Sequence, residues 1–284
     1  CDPHNNKEFA SKKALKHWMP VDWYNGGMEH TVLHLLYSRF WNQFLYDIGV
    51  VPTLEPYKKR TSHGMILASD GEKMSKSRGN VVNPDEMVEK FGADALRTYI
   101  LFMGPFDQAV AWDTNGLSGA RRFLDKVWRL QEKIVEADSP DMEKILHKTI
   151  KKVTEDIEKM AFNTAVSEMM IFVNEAAKSG LSKKSFRSFL QILSPFAPHI
   201  TEELWLELGN KYFISISEWP KYDEAKLVKE NIKLMIQING KIRASIDVSA
   251  DITEDEVKKQ VLANIIAQKW LDGKEPKKVI YVKG

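Results

Sequence analysis

Two stretches of the 284-residue chain bring together side chains that could do chemistry. The first is Asp70-Gly71-Glu72-Lys73-Met74-Ser75-Lys76-Ser77-Arg78-Gly79-Asn80. Its five residues Lys73, Met74, Ser75, Lys76 and Ser77 place two ammonium groups and two hydroxyls on one short segment expected to be mobile, with Gly79 just beyond. Lysine acts as a point charge on phosphate, hydroxyls and freed backbone N–H groups add hydrogen bonds, and glycine permits close approach. That inventory fits a transient clamp on a polyphosphate. On charge alone a solvated basic loop is the favoured reading, and it is the specific order of the residues that speaks for the clamp.

The second stretch is Gly26-Gly27-Met28-Glu29-His30-Thr31-Val32-Leu33-His34. Gly26 and Gly27 let backbone come close to a ligand, and the helix that follows offers its positive end. Glu29 can accept from ribose hydroxyls, and His30 and His34, four apart on a helix, face the same way. A zinc site, with a hydrolase built on it, is the remote alternative. Glu29 precedes both histidines, however, so the His-Glu-x-x-His order is absent, and no third ligand is evident. No metal site is therefore assigned. A polar helix face and a ligand pocket remain level on the residues alone.

These residues need elements to position them. Residues 1–30 read as irregular, punctuated by Pro3, Pro20 and the glycine pair. A helix is expected from the spacing of Leu33, Leu36, Tyr37, Phe40, Trp41, Phe44 and Leu45, stopped by Gly49. Val50 to Tyr57 reads as extended because its two prolines forbid a helix. Ser62 to Ala68 reads as one short strand, and Asp70-Gly71 as the turn into the lysine segment. Asn83-Pro84-Asp85-Glu86 opens a helix with a capping box, Gly92 ends it, and Asp94 caps the next. From about Leu117 to about Gly209 the pattern is helical, with short connections that fit an antiparallel bundle. Asn239-Gly240 between Ile232–Ile238 and Lys241–Val248 predicts a β-hairpin. Thr253 to Glu256 then caps a helix to about Lys269, and Val279 to Val282 supplies a third strand.

The balance of the chain is ordinary, with 43% hydrophobic and 28% charged residues and a net charge of +2. Composition alone therefore does not mark a nucleic-acid binder, although local basic faces could still bind one. The single cysteine, Cys1, excludes an internal disulfide. No apolar run reaches the roughly 18 residues of a membrane span, so no membrane partner is expected and a cytoplasmic location is the default. Neither end reads as a natural terminus, and a fragment of a longer polypeptide is expected.

Several segments together resemble the leucyl-tRNA synthetases, which are class I aminoacyl-tRNA synthetases. They are Met19-Pro20-Val21-Asp22, the Gly26–Phe40 segment with its Gly-Gly-x-Glu-His-x-x-x-His core, and the Lys73–Ser77 signature. They continue through Phe91-Gly92-Ala93-Asp94-Ala95-Leu96-Arg97, Ser194 to Trp205, Gln237 to Arg243 and Gly273 to Val282. The isoleucine, valine and methionine enzymes share the lysine signature, whereas the double-glycine and histidine segment has the leucine form.

The resemblance implies a mixed fold. Residues 1–80 would be the end of a Rossmann-like α/β nucleotide-binding domain, and 81–115 connecting helices. Residues 116–222 would be a helical bundle of the anticodon-binding type, and 230–284 a small α+β (ββαβ) domain. It also implies ATP, with Mg2+, as the substrate that serves as cofactor. Lys73 and Lys76 would stabilise the transferring phosphate with Met74, Ser75 and Ser77 around them. Gly26, Gly27 and Glu29 would meet the adenosine, and His63, Gly64, Met65 and Ile66 the adenine. His30 and His34 would shape the leucine pocket. Arg121, Arg122, Lys126 and Arg129 on the bundle, and Lys241 and Arg243 past the hairpin, would be tRNA contacts. A solvated helix face is the alternative for each bundle residue. The implied partners are tRNA-Leu, leucine, ATP and the N-terminal catalytic half, in an enzyme monomeric at full length. The family's His-x-Gly-His signature and its hydrolytic editing domain have no counterpart here, so the chain is not expected to act alone, and a tRNA-binding module without catalysis is the alternative function.

Overall fold

Ser11 opens a helix where the sequence reads as irregular. Its hydroxyl accepts from the Ala14 N–H (3.3 Å), and α1 runs over Lys12–Trp18. Lysine, alanine and leucine behind a serine cap favour a helix, a signal obscured by the prolines on either side. The computed structural model describes residues 1–227, 231–249, 252–271, 276 and 279–280. They fall into two units, Cys1–Lys221 and Tyr222–Gly284.

In the first unit the Gly26-Gly27 pair lies in a strand, β1 (Tyr24–Gly27), not in a turn. A single 3-10 turn, Met28–His30, and one turn of π-helix, Thr31–Leu35, lead into α2, Leu36–Asp47. Gly49 closes that helix at φ +74°, as expected. Val50 to Tyr57 is non-helical but irregular, with only Tyr57 bridging to Val21. The helical stripe on α2 is not core. Leu36, Tyr37, Phe40, Trp41 and Phe44 all face outward, Phe40 at 65% exposure.

The single strand expected over Ser62–Ala68 is two. One is β2 (Arg60–His63), parallel to β1; the other is β3 (Ile66–Leu67), which pairs further along the chain. Gly64 makes the break. Its N–H donates to the Phe106 carbonyl (2.8 Å), and a Cβ there would overlap the carbonyl of Gln108. Next come α3 (Pro84–Phe91) and α4 (Ala93–Phe102), then β4 (Val110–Ala111), the parallel partner of β3. Pro84 takes the first helical position, but the capping box expected with Glu86 is replaced. Asn83 accepts from the nearer Asp85 N–H at 3.1 Å.

The helical run consists of α5 (Thr114–Arg129), α6 (Pro140–Glu158), α7 (Phe162–Ser179), α8 (Lys183–Leu193) and α9 (Pro198–Glu207). A two-residue parallel pair, β5 (Ile134–Val135) with β6 (Leu181–Ser182), fastens the α5–α6 connection to the start of α8. Phe123, Val127, Leu130, Leu146, Ile150, Val153, Val166, Val173, Phe186, Leu190 and Leu193 are all buried, so the periodicity read from the sequence lies on the inner faces. One core runs through them from Met87 to Ile214. A separate small cluster of Ala10, Leu15 and Val51 lies in the N-terminal part, while Ile66, Met74 and Val82 pack on the main core.

In the second unit β7 (Asn231–Ile238) and β8 (Lys241–Ser249) form the expected antiparallel hairpin. Asn239 and Gly240 both take positive φ (+52° and +76°), the backbone a two-residue turn of this kind requires. Thr253 and Glu256 form the capping box of α10. The single helix expected to Lys269 is two, α10 (Glu254–Ala263) and α11 (Ile265–Leu271). Asn264 between them is extended (ψ 122°), and its side chain caps the second helix through the Ile266 and Ala267 N–H groups (3.0 and 3.2 Å). A polar side chain that can cap thus ends one helix and starts another. The third strand of the ββαβ expectation is not found at Val279 and Ile280, and Tyr281 and Val282 lie outside the described residues.

Candidate functional site

The lysine segment is a built turn. Lys73 bridges antiparallel to Leu67 at the end of β3, so the turn leaves directly from that strand. Asn80 holds it closed, accepting from the Ser75 N–H (2.8 Å) and donating to the Lys73 carbonyl (3.4 Å). Lys76–Arg78 makes one 3-10 turn ended by Gly79 at φ +66°, and the Ser75 and Ser77 hydroxyls are 2.8 Å apart. Met74 points the other way and packs on the main core, and Arg78 pairs with Glu72 (3.0 Å). Lys73 and Lys76 are exposed and make no ion pair among the described residues. Two cations without counter-ions, two hydroxyls and a turn of backbone therefore face solvent over an apolar anchor. This is chemistry for an anion with several oxygens.

The double-glycine segment lies on β1, whose partner β2 is followed directly by Gly64 and β3. Gly26 pairs with Ser62 and Gly27 with His63 in the β1–β2 register. The Glu29 carboxylate folds back over Gly27, filling the space a Cβ there would need. The His30 Nε2 is 4.0 Å from Glu29 Oε1, and the two imidazole rings of His30 and His34 lie edge-on at 6.5 Å. Tyr24 packs on His34 (5.3 Å) and on Tyr57 (4.7 Å). Among the described residues no group of three histidine, cysteine or acidic side chains could hold a metal ion. His63, Gly64, Met65 and Ile66 line a cleft of about 210 Å3 with Phe106, Val110 and Phe162. Through β2, Gly64 and β3, one continuous path joins the Glu29 and histidine group to the lysine turn.

The bundle cations do not act as one patch. Arg121 pairs with Asp125 (3.0 Å) and donates to the Phe91 carbonyl (3.2 Å), while Lys126 donates to Asn174 (2.9 Å). Arg121 and Arg129 share a cleft of about 530 Å3 with Trp128 and His199, but Arg122 and Lys126 do not line it. In the second unit Lys241 is exposed, whereas the Arg243 guanidinium lies over the Trp270 ring at 3.7 Å. A cation seated on an indole is partly engaged already.

Two residues important to this geometry were missed. Asn80 was legible in part, as a turn residue after glycine. Asp94 was expected to cap its own helix, and it caps another. Its carboxylate accepts from the His199 N–H (3.3 Å), the Ile200 N–H (2.7 Å) and His199 Nδ1 (2.7 Å), at the start of α9. Nothing local in the sequence marks a partner 105 residues away.

Comparison with known proteins places this geometry. Residues 4–113 match the family model described as tRNA synthetases class I (I, L, M and V), and residues 141–259 match the anticodon-binding domain of tRNA ligase. A leucine--tRNA ligase from Alkaliphilus oremlandii (strain OhILAs) is 54% identical over the whole of this chain. Over these segments the chain is similar to the class I aminoacyl-tRNA synthetases. Among solved structures, the ternary complex of an Agrobacterium radiobacter LeuRS with tRNA and LeuAMS is 34% identical. It covers 93% of the chain with a TM-score of 0.77. The Mycobacterium tuberculosis methionyl-tRNA synthetase bound by methionyl-adenylate covers 69% of the chain and 46% of its own, at 18% identity and a TM-score of 0.54, a likeness of fold alone. The chain spans about a third of the length of its leucyl relatives, 36% and 37%. With this class I synthetase-like fold, the described chain is mostly helical and carries its lysine turn on a short parallel strand.

Proposed function

We propose that this chain is part of a leucine--tRNA ligase, which activates leucine with ATP and transfers it to tRNA-Leu. The observation that carries the reading is the turn at Lys73–Ser77, in a chain 54% identical throughout to a leucine--tRNA ligase. Residues 1–80 form the end of a Rossmann-like catalytic domain, 81–115 connecting helices, 116–222 a tRNA-binding bundle and 230–284 a small α+β domain. In activation the leucine carboxylate attacks the α-phosphate of ATP, held as its magnesium complex, and pyrophosphate leaves. Lys76, with Lys73, offsets with its ammonium charge the negative charge that grows on the departing phosphates. Ser75, Ser77 and the backbone at Met74 complete the cradle. Glu29 accepts from the ribose at the close approach that Gly26 and Gly27 allow. The backbone of His63, Gly64, Met65 and Ile66 meets adenine, and His30 and His34 border the leucine side chain. Such a site works by positioning and charge stabilisation.

The rest of the enzyme is the partner of the catalytic part. The outward apolar face of α2 is the kind of surface that soluble chains seldom leave bare, and the two-stranded parallel pair β1–β2 normally lies inside a larger sheet. tRNA-Leu meets the bundle through Arg121, Arg122, Lys126 and Arg129 and the small domain through Lys241 and Arg243. The full enzyme is read as a cytoplasmic monomer. Joined to the rest of the fold, the chain is expected to support leucine-dependent exchange of pyrophosphate into ATP. Lys76→Ala should lower kcat of that exchange about 100-fold with a small change in the KM for leucine. Unimpaired exchange in Lys76→Ala would remove the role assigned to this lysine.

A further inference from the structure

The elbow between α3 and α4 is held from two sides by the helical bundle. Gly92 turns it at φ +89°, outside the range of ordinary residues. Asp94, 8% exposed, reaches from the first turn of α4 to the first turn of α9. The residue before α9 is Ala197, which has no side chain able to cap it, so the freed His199 and Ile200 N–H groups take their acceptor from Asp94. One turn further along α4, the Arg97 guanidinium donates to the Pro195 carbonyl (2.9 Å). From the opposite side Arg121 of α5 donates to the Phe91 carbonyl.

The other end of this joint is the lysine turn. α3 starts at Pro84, four residues after Asn80, and carries Met87 into the same core on which Met74 rests. From Ser75 to Ile200 the series therefore runs by hydrogen bond to Asn80, along the chain through α3 and Gly92 to Asp94, and by hydrogen bond to α9. The shortest bonds in the series, at 2.7 Å, belong to Asp94.

We infer that Asp94 is a positioning residue, which fixes the tRNA-binding bundle relative to the lysine turn so that the activated amino acid and the incoming tRNA end meet. The inference rests on the ligase reading. Activation uses the lysine turn and its surroundings; transfer to tRNA needs the bundle set correctly as well. Loss of Asp94 therefore falls on the two half-reactions unequally.

The test compares wild type, Asp94→Ala, Asp94→Asn and His199→Ala in the enzyme that contains this chain with the rest of the class I fold. Pyrophosphate exchange and tRNA-Leu charging are measured side by side. Asp94→Ala is expected to keep exchange within about 3-fold of wild type, and to lose charging about 10-fold or more, with a raised KM for tRNA. Asp94→Asn, which keeps an acceptor oxygen, should recover most of the charging. His199→Ala removes only the exposed imidazole bond, leaves both backbone N–H bonds and is expected to fold; it should show a smaller loss confined to charging. Equal losses of exchange and charging in Asp94→Ala, or charging at the wild-type level in all three variants, overturn the inference. A wild type active in neither assay overturns the ligase reading itself and this inference with it.

Discussion

Asp138 shows how a single carboxylate can organise a helix start. It accepts from the Ser182 N–H, the Ser182 hydroxyl and the Ser185 hydroxyl, each at 2.6 Å, where α8 begins. Burial pushes its pKa up, but the hydrogen bonds from Ser182 and Ser185, with the charge of Lys184, outweigh that and hold it below the ordinary 3.8. A depressed carboxylate contributes stability that is present above the unfolded value and lost as pH falls through the folded one. This contribution should therefore be complete at neutral pH and disappear as pH falls from about 4 through the lowered folded value. Asp138→Ala should cost about 2 kcal/mol at pH 7, since it strands charge-assisted donors. Urea unfolding over a pH series checks the claim: the gap between variant and wild type should be constant near neutrality and begin to narrow as pH falls below about 4. At the same scale the lysine segment was well legible, because charge and hydroxyl types declare their chemistry. Its anchoring was not, because Met74 and Asn80 act through packing and a fold-back bond that composition does not reveal.

Among the elements, the break between β2 and β3 depends on a glycine with no room beside it. Gly64→Ala would drive a Cβ into the Gln108 carbonyl, and backbone cannot swing aside as a side chain can. A loss of about 3 kcal/mol is expected, at the upper end of overpacking costs. Gly71→Ala is the control. Its φ is +80° with open space around it, so only the backbone preference of about 1–2 kcal/mol is lost. Thermal melts of the two variants should rank them in that order, and equal losses would mean that β2 and β3 are not separated by this contact. The helices were legible because their apolar spacing is long and regular. The short strands were not, since two- and four-residue pairings set by distant partners leave no period to read. Asn264 illustrates a third case, in which one capping residue divides a continuous helical pattern.

At the scale of the whole molecule, the distribution of burial separates the part that is self-sufficient from the part that is not. The helices from α3 to α9 enclose one core, while α2 displays Leu36, Tyr37, Phe40, Trp41 and Phe44. On the ligase reading that face is covered by the rest of the catalytic domain. Phe40→Lys together with Trp41→Glu should make the isolated chain less prone to self-association in sedimentation. The same changes should reduce pyrophosphate exchange at least 10-fold when the chain is joined to the remaining fold. Better behaviour alone with unchanged exchange in the joined enzyme would show that this face meets nothing in catalysis. The resemblance to the synthetase family was already legible in the sequence. The unequal burial was not readable there, because an amphipathic stripe looks the same whether its partner lies in the same chain or elsewhere.

The bond between Asp94 and α9 also has a meaning in time. A ribosome adds about 5–20 residues per second, so the 105 residues between Asp94 and His199 take roughly 5–20 s to emerge. Throughout that interval the carboxylate is made and waiting, while the turn it will cap does not exist. When Pro198 to Ile200 arrive, the acceptor for their backbone is already in place, and the last bundle helix can start on a finished template.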